Sequence, residues 1–271
     1  MKLAIIGGDA RMDEVSRRFS DMGHVCLGRN AKNENEIYSA VSESDVIILP
    51  MPCKKGEYLN APLVNDNIRF DELIAACGKS RLIIGGMAES DSESIIDYAT
   101  REELLIRNAV PTAEGAIAIA MEEMKTTLHG SRALVVGYGR IGVCLAERLK
   151  GLGVETTVAA RSLKSRALAV NTGLTAVGFD EFEAPLSKCD VVFNTVPHRV
   201  LDESALSALR TGTTVIDLAS LPGGVDDDAA SALGIRVIHA LALPGKVAPI
   251  TAGGIIADTV ISILRERGIL T

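Results

Sequence analysis

The chain has 271 residues, enough for two domains of ordinary size, and its 47% hydrophobic and 23% charged residues are those of a globular protein. A net charge of −7 opposes non-specific attraction to nucleic acid or to an anionic membrane, and 3% aromatics without Trp argue against a stacking surface for single strands. No apolar run of 18 residues is found, and the opening MKLAIIGGDARMDE lacks the apolar core of a signal peptide, so a cytoplasmic chain is expected. The five cysteines, Cys26, Cys53, Cys77, Cys144 and Cys189, show neither C-x-x-C pairs nor metal-ligand spacing; they read as free thiols, and no metal is expected.

The chain opens with a strand at Lys2–Ile6, a Gly7-Gly8 turn and a helix over Ala10–Asp21 that Gly23 ends. Strands follow at His24–Leu27, Asp45–Leu49, Arg81–Ile84 and Leu104–Ile106, with a loop over 50–67 and a helix over Ser92–Ala99. Strands alternating with helices predict a parallel α/β sheet. The turn reads G-G-D-A-R rather than G-x-G-x-x-G, so this half is expected to face substrate rather than cofactor. Ligands in such sheets lie beyond the carboxyl ends of the strands, which puts Gly8, Asp9 and Arg11 at the mouth of a site. Asp9 reads equally as the cap of the first helix, and Arg11 as a solvated first-turn residue.

A junction is expected between Val110 and Gly130, with a helix starting at Pro111-Thr112-Ala113-Glu114-Gly115, Thr112 as its cap and Glu114 in its first turn. Pro249-Ile250-Thr251-Ala252-Gly253 announces a last helix in the same way. The expected division is 1–125 as a Rossmann-like or flavodoxin-like substrate-side domain, 126–251 as a dinucleotide-binding domain, and a terminal helix 252–268 packing back on the first. The fold class predicted is α/β, two Rossmann-like doubly wound parallel-sheet domains with an interdomain cleft into which both helix starts point amides.

The second half turns on SRALVVGYGRIGVCLAERLKGLGVETTVAARSLKSR. A buried strand, Ala133–Val136, leads into Gly137, Gly139 and Gly142 with G-x-G-x-x-G spacing, a helix over Ile141–Leu149 and a strand over Thr156–Ala160. In a βαβ unit this spacing is a strong dinucleotide signal, so Gly137, Tyr138, Gly139, Arg140, Ile141 and Gly142 are expected to cradle a pyrophosphate. An NAD site places an acid at the end of the second strand; here Arg161 and Ser162 stand there, with Lys164 and Arg166 behind. That set suits a 2′-phosphate and predicts NADP(H), with Arg161 the main contact. Further strands are expected at Thr175–Val177, Asp190–Thr195, Thr214–Leu218 and Arg236–His239. The loops at their ends place Asn194, Thr195, Val196, Pro197, Leu218 and Ala219 around the nicotinamide. His198 is the histidine expected to face the site, either as a general base or as a loop residue, and Glu114 is its rival.

G-G-D-A-R, P-T-A-E-G, L-H-G-S, N-T-V-P, D-L-A-S-x-P-G-G-x-D and L-P-G-x-V-A-P-x-T-A-G together resemble the dipicolinate synthase A-subunit family of spore-forming bacteria, over nearly the whole chain. The resemblance implies NADP-linked oxidation of dihydrodipicolinate or 4-hydroxytetrahydrodipicolinate to pyridine-2,6-dicarboxylate. It also implies a partner, the flavoprotein-like B-subunit of dipicolinate synthase, in the mother-cell compartment during sporulation. The family is related to 2-hydroxyacid dehydrogenases, whose Arg…Glu…His set has no clear counterpart here. Two carboxylates flanking a ring nitrogen need cations, hydroxyls or amides, for which Gly8, Asp9, Arg11, Thr112, Ser220, Lys246 and Thr251 are the candidates. Dehydrogenases of this build are usually homo-oligomers. Two rival readings are a regulatory NADP(H)-binding protein without turnover, and a shikimate- or hydroxyacid-type dehydrogenase acting on another small acid.

Overall fold

A computed structural model describes residues 1–88 and 94–270. In chain order the elements are β1 (Lys2–Ile5), α1 (Ala10–Asp21), β2 (Val25–Leu27), α2 (Glu34–Ser42), β3 (Val46–Ile48), a short ribbon of β4 (Lys54–Lys55) and β5 (Tyr58–Leu59), α3 (Phe70–Cys77), β6 (Leu82–Gly85), β7 (Ile95–Asp97) and α4 (Glu102–Glu123). There follow β8 (Arg132–Val136), α5 (Arg140–Gly151), β9 (Glu155–Ala159), α6 (Leu163–Asn171), β10 (Thr175–Val177), α7 (Glu183–Leu186), β11 (Val191–Asn194), α8 (Glu203–Ser207), β12 (Thr214–Asp217), α9 (Asp227–Ala232), β13 (Val237–His239), α10 (Leu243–Val247) and α11 (Pro249–Glu266). They form two compact units, residues 1–108 with those from Pro244 onward, and residues 109–243.

The first unit is built on a parallel sheet ordered β2-β1-β3-β6-β7. The side-chain period of two is visible along each central strand. Leu3, Ile5, Val46, Ile48 and Ile84 turn to one face, against Val15 and Phe19 of α1 and the apolar side of α11. Ala4, Ile6, Ile47, Leu49 and Ile83 turn to the other, against Ile37 and Val41 of α2 and Phe70 and Leu73 of α3. Because both faces are covered, the strands are apolar runs rather than alternating ones. The last helix contributes Ile255, Ile256, Val260, Ile263 and Leu264 to this core, each removed from water at roughly 1.5–3 kcal/mol.

Close approach of α11 to α1 depends on two glycines. A Cβ at Gly253 would strike the Arg11 carbonyl oxygen and lie 2.7 Å from Glu14 Cβ; one at Gly254 would lie 2.8 Å from the Arg18 guanidinium. Arg18 then joins the helices by ion pairs, 3.0 Å to buried Glu14 and 2.8 Å to Asp258.

The second unit has a six-stranded parallel sheet ordered β10-β9-β8-β11-β12-β13. Counted within the unit this is 3-2-1-4-5-6, the dinucleotide-binding Rossmann order, whose direction reverses between β8 and β11. Ala133, Val135, Val191, Phe193 and Ile216 pack under α4 and α5, while Leu134, Val136, Val192 and Val215 pack under α7, α8 and α9.

Four expectations are corrected. Ile95–Asp97 is a strand pairing with β6, not part of a helix from Ser92; Ser92 and Glu93 lie outside the described residues. Asp97 anchors the end of that strand by accepting from the amides of Met87, Ala88 and Ala99 at 3.0, 3.0 and 2.7 Å. Leu104–Ile106 is helical, because α4 runs unbroken through Pro111. The proline removes one N–H, yet Leu104, Ala113, Ala116 and Ala120 are all fully buried along the helix, and this packing outweighs the missing bond. Thr112 and Glu114 therefore lie in mid-helix, and the units divide at 108/109 and 243/244 rather than at 125/126 and 251/252. By length and hydropathy α4 is long and apolar enough to cross a bilayer, but half of that stretch is buried within the fold, as in a core helix.

Gly253→Val is expected to destabilise the chain by about 1–3 kcal/mol through overpacking. Gly151→Ala, whose added methyl meets nothing within 4 Å, should stabilise it by about 0.4–1 kcal/mol; urea unfolding of both variants checks the pair. The Arg17 side chain, ahead of Arg18, holds the Glu14 carboxyl below its usual 4.5. Its contribution is thus present above that value and lost as pH falls through the lower folded one, so Glu14→Gln should flatten the acid limb of a stability–pH curve.

Candidate active site

In the second unit the turn after β8 is shaped by what its glycines exclude. Gly137 has φ +97, and a Cβ on it would strike Thr195 Oγ1 and lie 2.9 Å from Val196 Cγ2; a Cβ on Gly142 would strike the Gly137 carbonyl oxygen. These two glycines set the closeness of turn, helix and β11 loop. Gly139 differs. Among the described residues nothing lies within 4 Å of a Cβ placed there, so this glycine keeps open an approach to the backbone. Gly139 is also the N-cap of α5 and supplies no side-chain cap, which leaves the first-turn amides to an anion. The cradle fits a pyrophosphate. Tyr138 and Ile141 belong to it by backbone only. The Tyr138 hydroxyl lies 3.3 Å from Thr172 Oγ1, and Ile141 packs on the core. Arg140 starts the helix.

At the end of β9, Arg161 and Lys164 are exposed and Arg166 is half-buried. Ser162 caps α6, its hydroxyl accepting from the Ser165 amide at 3.0 Å. No carboxylate stands at this strand end, and among the described residues nothing pairs with Arg161.

The loops after β11 and β12 are joined by a buried side-chain pair, Asn194 and Asp217. Asn194 is fully buried, and its amide donates to Asp217 Oδ1 at 2.7 Å and to the Val196 carbonyl at 3.0 Å, while its oxygen accepts from the Val196 amide at 3.1 Å. Asp217, also buried, accepts in addition from the Ala219 and Gly224 amides, each at 3.1 Å. Asn194 is thus a brace beneath the site rather than a cofactor contact, and Asp217 is its missed partner. A lone acid ending the apolar run Thr214–Asp217 was the available signal. Thr195 donates to the Val136 carbonyl at 2.9 Å, holding its loop over the turn. Val196 is half-buried, Pro197 exposed, and Leu218 and Ala219 are buried beside the loop that carries exposed Ser220.

Exposed His198 follows Pro197, and among the described residues nothing pairs with it. Glu114 faces α5, 4.0 Å from Arg148 Nε, and does not stand at a helix start. Thr112 is buried in mid-helix and caps no helix start.

In the first unit, Asp9 does cap α1, accepting from the Arg11 amide at 3.1 Å. Its carboxylate also receives Arg11 in a fork, Nε to Oδ1 at 2.8 Å and Nη2 to Oδ2 at 2.9 Å. Burial would raise the Asp9 carboxyl, but Arg11 and Arg29 outweigh burial and hold it below the usual range, so it stays ionised. Arg11 Nη2 further donates to the Met51 carbonyl at 2.6 Å, tying the loops after β1 and β3. The Gly8 amide is spent on the Asn60 carbonyl at 2.7 Å, so it is not free for an anion as expected. Gly245 lies against the same pair, since a Cβ there would be 3.0 Å from Arg11 Nε. Lys246 is exposed beside it, and Thr251 is exposed in the first turn of α11, whose N-cap Ala248 offers no side chain. Burial pushes the thiols of Cys53 and Cys77 up to about 11 and that of Cys189 to about 12, which keeps them protonated at neutral pH.

The dipicolinate synthase A-subunit of Bacillus subtilis (strain 168) is 33% identical to this chain, over 98% of this chain and 96% of its own. The chain belongs to the dipicolinate synthase A-subunit family. Residues 2–104 match the family described as the N-terminal domain of the dipicolinate synthase A-subunit, and residues 105–243 match the D-isomer specific 2-hydroxyacid dehydrogenase NAD binding domain. The crystal structure of the dipicolinate synthase A-subunit from Bacillus halodurans is similar at a TM-score of 0.86, with 28% identity and 97% of each chain covered. That of its Bacillus subtilis counterpart gives 0.85 and 29%, covering 98% of this chain and 96% of the other. Like other dehydrogenases that carry this NAD-binding domain, the chain is an oxidoreductase using a nicotinamide dinucleotide.

Gly139→Ala and Gly142→Ala should separate binding from folding in this family member. The first adds a methyl in open space and is expected to weaken cofactor binding roughly tenfold, by a lost or crowded amide contact, with little change in thermal midpoint. The second collides with backbone and should lower the midpoint itself; fluorescence titration and thermal unfolding of both variants make the check.

Proposed function

We propose that this chain oxidises dihydrodipicolinate, or 4-hydroxytetrahydrodipicolinate after loss of water, to dipicolinate with NADP⁺. The observation that carries the substrate is the full-length match, 33% identity over 98% of the chain, which includes the N-terminal half specific to this family and so favours the diacid over another small acid. Arg161 at the end of β9, exposed and without an acid beside it, supports the phosphorylated cofactor. Bound there, the cofactor supplies the acceptor for a hydride from a ring carbon. The ring loses a proton in the same conversion, so two hydrogens leave and an aromatic pyridine remains.

The chain's own residues have four tasks in this reading. The amides of the Gly137–Gly142 turn hold the diphosphate, and Arg161, aided by Lys164, takes the 2′-phosphate. The braced loops carrying Thr195, Val196, Leu218 and Ala219 line the nicotinamide. Arg11, Lys246 and Thr251, all of the first unit, bind the carboxylates; Arg11 Nη1 is the atom of that guanidinium that no described residue engages. His198 accepts the proton, a modest demand because aromatisation supplies much of the driving force. The flavoprotein-like B-subunit of dipicolinate synthase is the proposed partner of a homo-oligomer in the cytoplasm of the sporulating mother cell.

Arg161→Ala is expected to weaken NADP(H) binding about tenfold, the worth of one charge-assisted pair, and to leave NAD(H) binding unchanged. Titration of the parent protein and the variant with both cofactors tests this, and tighter binding of NAD than of NADP by the parent would sink the NADP reading.

A further inference from the structure

The first unit's glycine turn is wired in the opposite sense to the second's. Arg29, immediately after β2 and the left-handed Gly28, has a side chain only 8% exposed and lays its guanidinium across the Gly7–Asp9 turn. Its Nη1 donates to the Gly7 carbonyl at 3.1 Å, its Nη2 to the Asp9 carbonyl at 3.1 Å, and its Nε to Asp13 Oδ1 at 2.7 Å. In a nucleotide-binding turn, amides face a phosphate. Here two carbonyls face a cation, and the Gly8 amide is turned to Asn60.

We propose that Arg29 is a positioning residue for the diacid substrate. By fixing the Gly7 and Asp9 carbonyls it sets the backbone from which the Asp9 carboxylate grips Arg11 at Nε and Nη2. Arg11 is thereby held with Nη1 as its unengaged end. A guanidinium fixed at two of its three nitrogens loses little freedom when a carboxylate binds the third, which is where pre-organisation yields affinity. Arg29, Asp9, Arg11 and Asp13 sum to zero charge, so the turn gathers no anion by net field. Its value lies in geometry, and the nearby Lys246 supplies the excess positive charge.

The proposal rests on Arg11 as a carboxylate contact, and the test separates the two. Dipicolinate is titrated calorimetrically into the full chain saturated with NADP⁺, and thermal midpoint and NADPH affinity are measured alongside. Arg11→Ala should weaken dipicolinate binding at least about tenfold, one lost charge-assisted contact. Arg29→Ala, and Arg29→Lys, which retains the charge beside Asp13 but spans only one carbonyl, should each weaken it roughly ten- to a hundredfold by misplacing Arg11. NADPH affinity should stay unchanged in both. Asp13→Asn keeps the carbonyl contacts and should change binding by less than about fivefold, the ceiling for an ion pair with an exposed acid. If Arg11→Ala weakens binding and neither Arg29 variant does, positioning by Arg29 is overturned while the substrate reading stands. The proposal is also overturned if Asp13→Asn matches Arg29→Ala, since Arg29 would then act only as an ion-pair partner of α1. Parent-like binding by Arg11→Ala removes the substrate reading, and the proposal with it.

Discussion

Everything in the cofactor-binding unit depends on a contact with no room for a side chain, that of Gly142 in α5 with the carbonyl of Gly137. A methyl at 142 would strike that oxygen, and one at 137 would strike Thr195. The first turn of α5, the end of β8 and the loop after β11 are therefore fixed together at the point where the strand order reverses. The uncapped amides at Gly139 and beyond follow from this contact, because the helix cannot recede to be capped by a neighbour. The Asn194–Asp217 brace extends the same rigidity to the loop after β12.

The two units answer one architectural question in opposite ways. Each ends its first strand in a glycine-bearing turn opening a helix, and each must decide what the turn's dipoles face. In the second unit the amides remain available. In the first, groups of the protein already satisfy the turn: the Arg29 side chain against its carbonyls, the Asp9 side chain as the helix cap, and the Asn60 backbone carbonyl against the Gly8 amide. Similar strand–turn–helix elements thus yield a cofactor cradle in one case and a mount for a single arginine in the other.

Much of this was legible in the sequence, for identifiable reasons. The limits of α1 are marked by Asp9 and Gly23, and the Gly137–Gly142 spacing together with β-branched strands identified the second sheet. The fold class followed from such local signals. The errors came where tertiary packing overrides a local one. Pro111 reads as a helix start, but buried alanines on either side carry α4 through it. Ile95–Asp97 reads as helical until Asp97 is seen gathering three amides. Asn194 sits at the strand end where a cofactor contact belongs, yet Asp217, 23 positions later, takes its amide, and no local pattern reports that pairing. Arg29 is silent in the sequence for the same reason, since its partners lie 16 to 22 residues away.

The place of α11 in the first unit has a consequence for the order of synthesis. Five of the large apolar side chains that close one face of the first sheet come from Ile255 to Leu264, while Leu3 and Ile5, which they help to cover, belong to β1. A ribosome delivers the whole of residues 109–243, a sheet with both faces covered from within, before it delivers the helix that shields β1. While residues 109–243 are made, the face of β1 that α11 will share has only α1 upon it, so part of its apolar side stays open to water until α11 follows.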